Sequence, residues 1–400
     1  MNSNVRRRHV FYIPGYDPFP ARRYRELYRV EGEDQADISG YEISLKGKPG
    51  ADPFGWQVKA DINGQSVETD IDVLVWSDIV RGSMETGITR TYWEAIKTAW
   101  IYIRSGSLRR LMRLRKGPVV AALYPIGMLF LQALLAITVA WSVAVVASEY
   151  VYPGIGWVVA LPAIILILRW FRKHDRKLFA YYLMHDYAFT AAFKGANPPE
   201  LDARLQEFRK IIVAALASDV DEVLVVGHSS GAHLAVSVLA QLIREGRAQK
   251  NGPELGFLSL GQVIPMVSFL PKAFRLRTDL HELAQSDALT WVDVSAPGDG
   301  CSFALCDPVS VSGVSPENKR WPLVFSAAFS NSLSAERLKS LRHRYFRLHF
   351  QYLCAFDQPL DYDYFQITAG PLTLADRYRK RAPSKSRIDV SVSGYTSMLA

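Results

Sequence analysis

Val223-Leu-Val-Val-Gly-His-Ser-Ser-Gly-Ala-His-Leu234 places a Gly-x-Ser-x-Gly between an apolar strand-like run and an amphipathic helix. Val223–Val226 is entirely β-branched or leucine, the composition of a central parallel strand buried on both faces. Beyond the motif, Leu234, Val238 and Leu242, with Ala235, Leu239 and Ile243, repeat at helical spacing, and Gly246 stands where a C-cap is expected. A serine at such a junction needs a strained backbone to point its hydroxyl out of the turn. Gly227 and Gly231 lack a Cβ, so strand and helix can approach closely around it. The helix behind it aims unpaired N–H groups and the positive end of its dipole at the same point. Ser229 is therefore the candidate nucleophile and the Ser230 amide a candidate oxyanion donor. A coincidental turn is the plain alternative, but the three fixed positions recur by chance only about 0.1 times in a chain of this length.

Four hundred residues, 49% of them hydrophobic, allow about two domains or one enlarged by an insertion. The formal charge of +8 raises nucleic acid as a partner, so its distribution decides. Residues 104–116 carry six basic side chains and no acid; residues 169–177 carry five against Asp175. The rest of the chain is slightly acidic, so nucleic-acid binding is not expected.

Between those basic segments the sole charged residue is Glu149. Pro118–Ser148 would be about 45 Å long as a helix and Tyr150–Leu168 about 28 Å, against a hydrocarbon layer of about 30 Å. The spacing predicts a transmembrane hairpin, with spans over about 119–147 and 151–169, turning at Tyr150-Val-Tyr-Pro-Gly-Ile-Gly-Trp157. Basic flanks are expected on the cytoplasmic side, which puts both halves of the remaining chain in the cytoplasm and only the Glu149 turn outside. Arg6-Arg7-Arg8 is followed by only His9–Ile13 before Pro14-Gly15, too short an apolar run for a signal peptide. Cys301, Cys306 and Cys354 are odd in number and lack metal-ligand spacing, which fits reduced thiols. With no His-Glu-x-x-His and no paired Cys-x-x-Cys, neither metal nor other cofactor is expected.

Strands are expected at His9–Ile13, Tyr41–Leu45, Trp56–Asp70 (turning at Asn63-Gly64), Asp72–Trp76, Leu255–Ile264 and Thr290–Val294. Helices are expected at Thr91–Met112, with Trp93, Trp100 and Tyr102 at or near a membrane surface, and at Leu178–Phe193, Leu201–Leu216 and Ala335–His343. Tyr345–Leu353 alternates like a strand. This divides the chain into an N-terminal part of the main domain (1–100), a lead-in and hairpin (101–178), the remainder of the main domain (179–380) and a disordered tail (381–400). Strands alternating with helices argue for an α/β fold, a mainly parallel sheet covered on both faces.

The strand-elbow-helix context resembles the α/β-hydrolase superfamily. Leu258-Ser-Leu-Gly-Gln262 is similar to the strand that follows the elbow in class 3 lipases, although the inserted hairpin and the histidine region depart from that family. The resemblance implies a chain order of Ser, then Asp or Glu, then His. His233 lies too close on the elbow helix, leaving His349 as the preferred base and His343 as the alternate. Asp299, on the Pro297-Gly298 loop past a strand end, is the preferred acid; it would also occupy the class 3 lipase acid position. Asp307 is the alternate, and Asp293 would sit mid-strand. Ile13-Pro-Gly-Tyr16 follows the first strand as an oxyanion loop would, with the Tyr16 amide as second donor, provided that Asp17 turns away from the developing charge.

The expected function is a membrane-anchored serine hydrolase that cleaves a carboxylic ester, lipid-derived, with the bilayer and a small acyl ester as partners. The same groups could run acyl transfer or thioester hydrolysis. An inactive hydrolase fold serving as a membrane scaffold is the alternative outside enzymology.

Overall fold

The computed structural model describes residues 5–152, 154–248 and 252–399. Among them, β1 (Arg7–Ile13), β2 (Glu42–Gly47), β3 (Gly55–Ile62), β4 (Gln65–Val73), β5 (Glu222–His228), β6 (Glu254–Leu260), β7 (Thr290–Ser295) and β8 (Leu323–Ser326) form one sheet. Its order is β2-β3-β4-β1-β5-β6-β7-β8. From β4 to β8 all neighbours run parallel, while β2, β3 and β4 pair antiparallel, β3 and β4 through the Asn63-Gly64 turn. The fold is α/β with a mixed, mostly parallel sheet.

The apolar run that opens the elbow motif takes the most enclosed place, since every residue of β5 is buried. Alternation along the strands supplies two cores. Phe11, Ile13, Val223, Val225, Phe257 and Trp291 face one side, and Val10, Tyr12, Leu224, Val226, Leu258 and Val292 the other. The sheet order also fixes where a ligand would bind. From β1 the chain turns to one side to build β2–β4, then crosses over to place β5 on the other. The carboxyl ends of β1 and β5 therefore flank a topological switch point, the usual ligand crevice of open α/β sheets.

Helices α1 (Arg22–Ser39), α2 (Ser77–Met84), α3 (Ile88–Arg104), α4 (Ser107–Leu114), α5 (Lys116–Tyr150), α6 (Ile155–Lys173), α7 (Asp175–Leu178), α8 (Ala180–Ala192) and α9 (Pro199–Leu216) precede β5. After it come α10 (Gly231–Arg244), α11 (Ile264–Ser268), α12 (Phe274–Gln285), α13 (Pro308–Val311), α14 (Phe329–Ser332), α15 (Ala335–Leu341) and α16 (Tyr345–His349). The α5 and α6 helices are long and apolar enough to cross a membrane, with mean hydropathies of 2.3 and 1.7. They fold back on each other: Gly156 lies so close to α5 that a Cβ there would sit 2.5 Å from the Ala144 carbonyl oxygen. Pro153 of the expected turn lies outside the described residues. The lower part of α5 packs on α3 and α8 through Ala95, Leu129, Tyr181 and Met184.

Several expectations are corrected. Asp72–Trp76 is not a separate strand; Asp72 and Val73 finish β4, in register with Phe11 and Tyr12. Thr91–Met112 is not one helix, because Gly106 at φ 71° breaks it into α3 and α4. Trp93 and Trp100 are exposed, but Tyr102 is buried and donates to the Met266 carbonyl at 2.9 Å. Tyr345–Leu353 is helical rather than a strand, because its alternating polar residues are tied to the body of the protein. The polar C-terminal residues, expected as a disordered tail, run back over the body. Ser384 N–H donates to Val324, Ile388 N–H to Leu305, and the Arg277 guanidinium to the Ser397 carbonyl.

Candidate functional site

At the end of β5 the chain makes the turn that the glycines permit. Ser229 adopts φ 56°, a left-handed conformation that non-glycine residues rarely take. Its amide is fixed by the Leu260 carbonyl of β6 at 2.9 Å. A Cβ at Gly227 would lie 2.7 Å from the Ala232 Cα, and one at Gly231 would run into the Ile13 carbonyl oxygen. Those two glycines let α10 start directly against β1 and β5. A Cβ at Gly15 would lie 3.0 Å from that of Ser229, so the loop after β1 passes immediately beside the serine.

His349, the last residue of α16, lines the same cleft as Ser229. Its Nδ1 lies 2.8 Å from Asp299 Oδ2, on the loop after β7. The Tyr352 hydroxyl donates to the same oxygen at 3.0 Å and the Cys301 amide to Oδ1 at 2.9 Å. Burial opposes ionisation of Asp299, but His349 and these donors outweigh it and hold the carboxyl below its usual range. An ionised Asp299 fixes the proton of His349 on Nδ1 and leaves Nε2 as a base. Beneath the ring, His228 Nε2 donates to the His349 carbonyl at 3.0 Å, and the two imidazoles lie 4.7 Å apart. Burial pushes the His228 pKa down to about 3, so it stays neutral and serves as a fixed donor.

The segment carrying His349 is clamped by α1, which packs on the same face of the sheet. Glu31 of α1 pairs with Arg347 at 2.5 Å and accepts from the Ala355 amide at 3.0 Å. Gln35, one turn along, accepts from the Phe356 amide at 2.7 Å. These partners explain why α1 is obscure in the sequence. Its inward face reads Tyr24, Tyr28, Glu31, Gln35, apolar at one end and polar at the other.

Ser229, Ser230, His349, Gly15 and Tyr16 all line one cleft of about 920 Å³. Among the described residues, neither the Tyr16 nor the Ser230 amide donates a hydrogen bond within the protein. The Tyr16 carbonyl is instead turned to the Tyr182 hydroxyl at 2.5 Å, and its own hydroxyl pairs with Ser83 at 2.5 Å. Asp17 also lines the cleft, but its carboxylate is occupied by the Phe19 amide (2.9 Å) and the Tyr24 hydroxyl (2.7 Å).

The alternates lie elsewhere or serve otherwise. Asp307 caps α13 through the Val309 and Ser310 amides and pairs with Lys319. His343 lines the rim of the cleft but is exposed. Asp293 is buried mid-strand against Ser259 at 2.7 Å, and burial raises its pKa to about 8. Sequence reasoning missed His228, Tyr352 and Asp186. Of these only His228, inside the motif itself, carried a local signal. Asp186 lines the cleft from α8, and burial raises its pKa to about 7 against the pull of His349. His233 also lines the cleft, held neutral by burial with its pKa near 4. Among the described residues, no group of three or more His, Cys, Asp or Glu side chains could hold a metal ion.

A hydroxyl on a strained turn and an imidazole line one cleft, and a buried carboxylate holds that imidazole, the residue types that nucleophilic catalysis uses. Among the described residues, Ser229 Oγ makes no hydrogen bond to His349. No protein family, no curated protein and no solved structure matches the chain.

Proposed function

We propose that this protein is a serine hydrolase, anchored to a membrane by α5 and α6, that cleaves a carboxylic ester of lipid type. One observation carries the reading: Ser229, at φ 56° on a strand-to-helix turn, opens on the same cleft as His349, whose Nδ1 is held by Asp299. In this mechanism Ser229 Oγ attacks the ester carbonyl carbon while His349 Nε2 takes its proton. The Tyr16 and Ser230 amides receive the oxyanion. Collapse expels the alkoxide, which takes the proton back from His349, and water then releases the acid by the same route in reverse. Asp299 stabilises the imidazolium without taking its proton.

Membrane anchoring is supported by length, by apolar composition and by exposure. A core hairpin of a soluble protein would be enclosed, whereas Trp141, Trp157, Leu161 and Leu166 all stand exposed. The basic flanks favour a cytoplasmic catalytic domain.

A fluorophosphonate probe should label the full chain in membranes that have been washed with carbonate, and Ser229→Ala should abolish both labelling and esterase turnover at unchanged expression. Labelling that persists in Ser229→Ala removes the assignment; loss of the protein to the carbonate wash removes the anchor.

A further inference from the structure

One side of the cleft is the foot of the α5–α6 hairpin. Pro118, Val120 and Tyr124 of α5 line it together with Phe179, Tyr182 and Phe346. Val120, Tyr124 and Phe179 are exposed, so this apolar wall runs from the interior out to the base of the hairpin. Lys116, Lys177 and Arg344 line the same cleft. All three are exposed, and among the described residues none of them pairs with an acid. Their neighbour Arg347 is different, because Glu31 already holds it.

Unpaired cations beside a membrane helix have a plain explanation in the preference of basic residues for the cytoplasmic face. That preference accounts for Lys116 and Lys177, which flank the hairpin in sequence. It does not account for Arg344, more than 160 residues beyond the hairpin, in the segment that also carries His349. Nor does it explain why Arg113 and Lys173, equally close to the hairpin in sequence, stay outside the cleft. Two acids share the cleft, and neither neutralises the rim. Asp17 is committed to the Phe19 amide and the Tyr24 hydroxyl. Asp186 lies further in, on α8 between Tyr182 and Thr190, where burial raises its pKa to about 7.

We propose that the substrate is an amphiphile with an anionic, phosphate-bearing head group, whose head is held by Lys116, Lys177 and Arg344 while its acyl ester reaches Ser229 along the apolar wall. This rests on the serine hydrolase reading and adds the class of ester to it. Lys and Arg side chains are suited to phosphate oxygens, Arg as a planar fork and Lys as a point charge. An anionic lipid would also be concentrated near basic residues at the membrane surface, before it enters the cleft.

The test uses the full chain in neutral-detergent micelles, with a monoacylglycerol and the same monoacylglycerol carrying a 3-phosphate. The expected kcat/KM ratio favours the phosphate ester by about tenfold, the combined effect of three half-solvated charge contacts. In the triple variant Lys116→Gln, Lys177→Gln, Arg344→Gln the ratio falls towards one. Arg113→Gln with Lys173→Gln, outside the cleft, leaves the ratio unchanged. A ratio near one in the parent, an unchanged ratio in the triple variant, or an equal fall in the control overturns the proposal.

Ether analogues of both amphiphiles, bound to Ser229→Ala and measured by calorimetry, separate the two readings. Tighter binding of the phosphate ether without turnover of any ester by the parent leaves the head-group site standing and removes the hydrolase. Turnover of both esters with equal binding of both ethers does the reverse. Inorganic phosphate binding as tightly as the phosphate ether would mean a free-anion site, and would overturn the lipid substrate.

Discussion

Ser229 and His349 meet at one cleft but are held there differently. The conformation of Ser229 is set mainly by neighbours in sequence, Gly227 and Gly231 on either side, a buried strand before and an amphipathic helix after, with the Leu260 carbonyl of β6 holding its amide from a distance. His349 is held by Asp299, 50 residues away, and by His228, 121 away. Its flanking residues Arg347 and Ala355 hang on Glu31, 316 and 324 residues distant. The side that carries the proposed nucleophile is thus mainly a local structure, and the side that carries the proposed base a tertiary one. Changes at the first should remove chemistry outright, and changes around the second should grade it.

The largest effect expected on the tertiary side is loss of the base itself. His349→Ala should lower turnover by about 10²–10⁴, the range for a general base. Asp299→Asn should act similarly, because an amide there no longer fixes the proton on Nδ1. If the three residues act as a triad, adding His349→Ala to Ser229→Ala should cost little more than the serine change alone, since such residues act as a unit. His343→Ala and Asp307→Asn, at an exposed rim and a helix cap, should leave turnover near normal. Steady-state kinetics on a soluble acyl ester checks all five variants. Near-normal turnover by His349→Ala would show that the base side of the comparison has been assigned to the wrong residue.

This division also governs what could be read from the chain alone. The elbow, the parallel strands β5, β6 and β7, the Asn63-Gly64 hairpin and the two long apolar helices all announce themselves by local spacing. Asp299 was legible because a Pro-Gly loop after an apolar run marks a strand end. The α16 segment misled, because Phe346, Leu348 and Phe350 alternate with Arg347, His349 and Gln351 as they would on a strand. In the fold Arg347 is met by Glu31, His349 by Asp299 and Gln351 by the Ala355 carbonyl, so a helical course satisfies the polar series that looked like one face of a strand. The α1 helix was missed for the complementary reason: Glu31 and Gln35 occupy its buried stripe where periodicity asks for apolar residues. The buried polar face of α1 and the polar residues around α16 satisfy each other, and neither is interpretable without its partner.

Gly261 tests the junction between the two sides. It follows β6 at φ 51°, next to the Leu260 carbonyl that fixes the Ser229 amide. A Cβ there would lie 2.7 Å from Tyr352 Cε2, 3.1 Å from His349 Cε1 and 3.3 Å from Asp299 Oδ2. Gly261→Ala should therefore destabilise the fold by about 1–3 kcal/mol through backbone strain and crowding. It should also lower turnover more than that loss of stability explains, because the ring it displaces is the proposed base. Denaturant midpoints measured beside kcat separate the two. A variant that is destabilised but catalytically normal would mean that the imidazole adjusts freely and the base side is less rigid than its hydrogen bonds imply.

The smallest expected effect lies furthest from the chemistry, at Glu31. Its carboxylate accepts from the Ala355 amide and pairs with Arg347, on either side of His349, so it holds the base-bearing segment without touching the cleft. Glu31→Gln keeps an acceptor for the Ala355 amide and removes the charge. Glu31→Ala removes both and leaves a buried amide without a partner. Turnover should fall by about threefold in Glu31→Gln and by about tenfold in Glu31→Ala, the order expected for losing one partly exposed ion pair and then a buried hydrogen bond. The decisive measurement is the pattern across parameters. If Glu31 positions His349, kcat falls while the KM for a soluble ester barely moves, and the pH profile of kcat/KM keeps its shape. If Glu31 only supports the fold, the denaturation midpoint falls and kcat per folded molecule is unchanged.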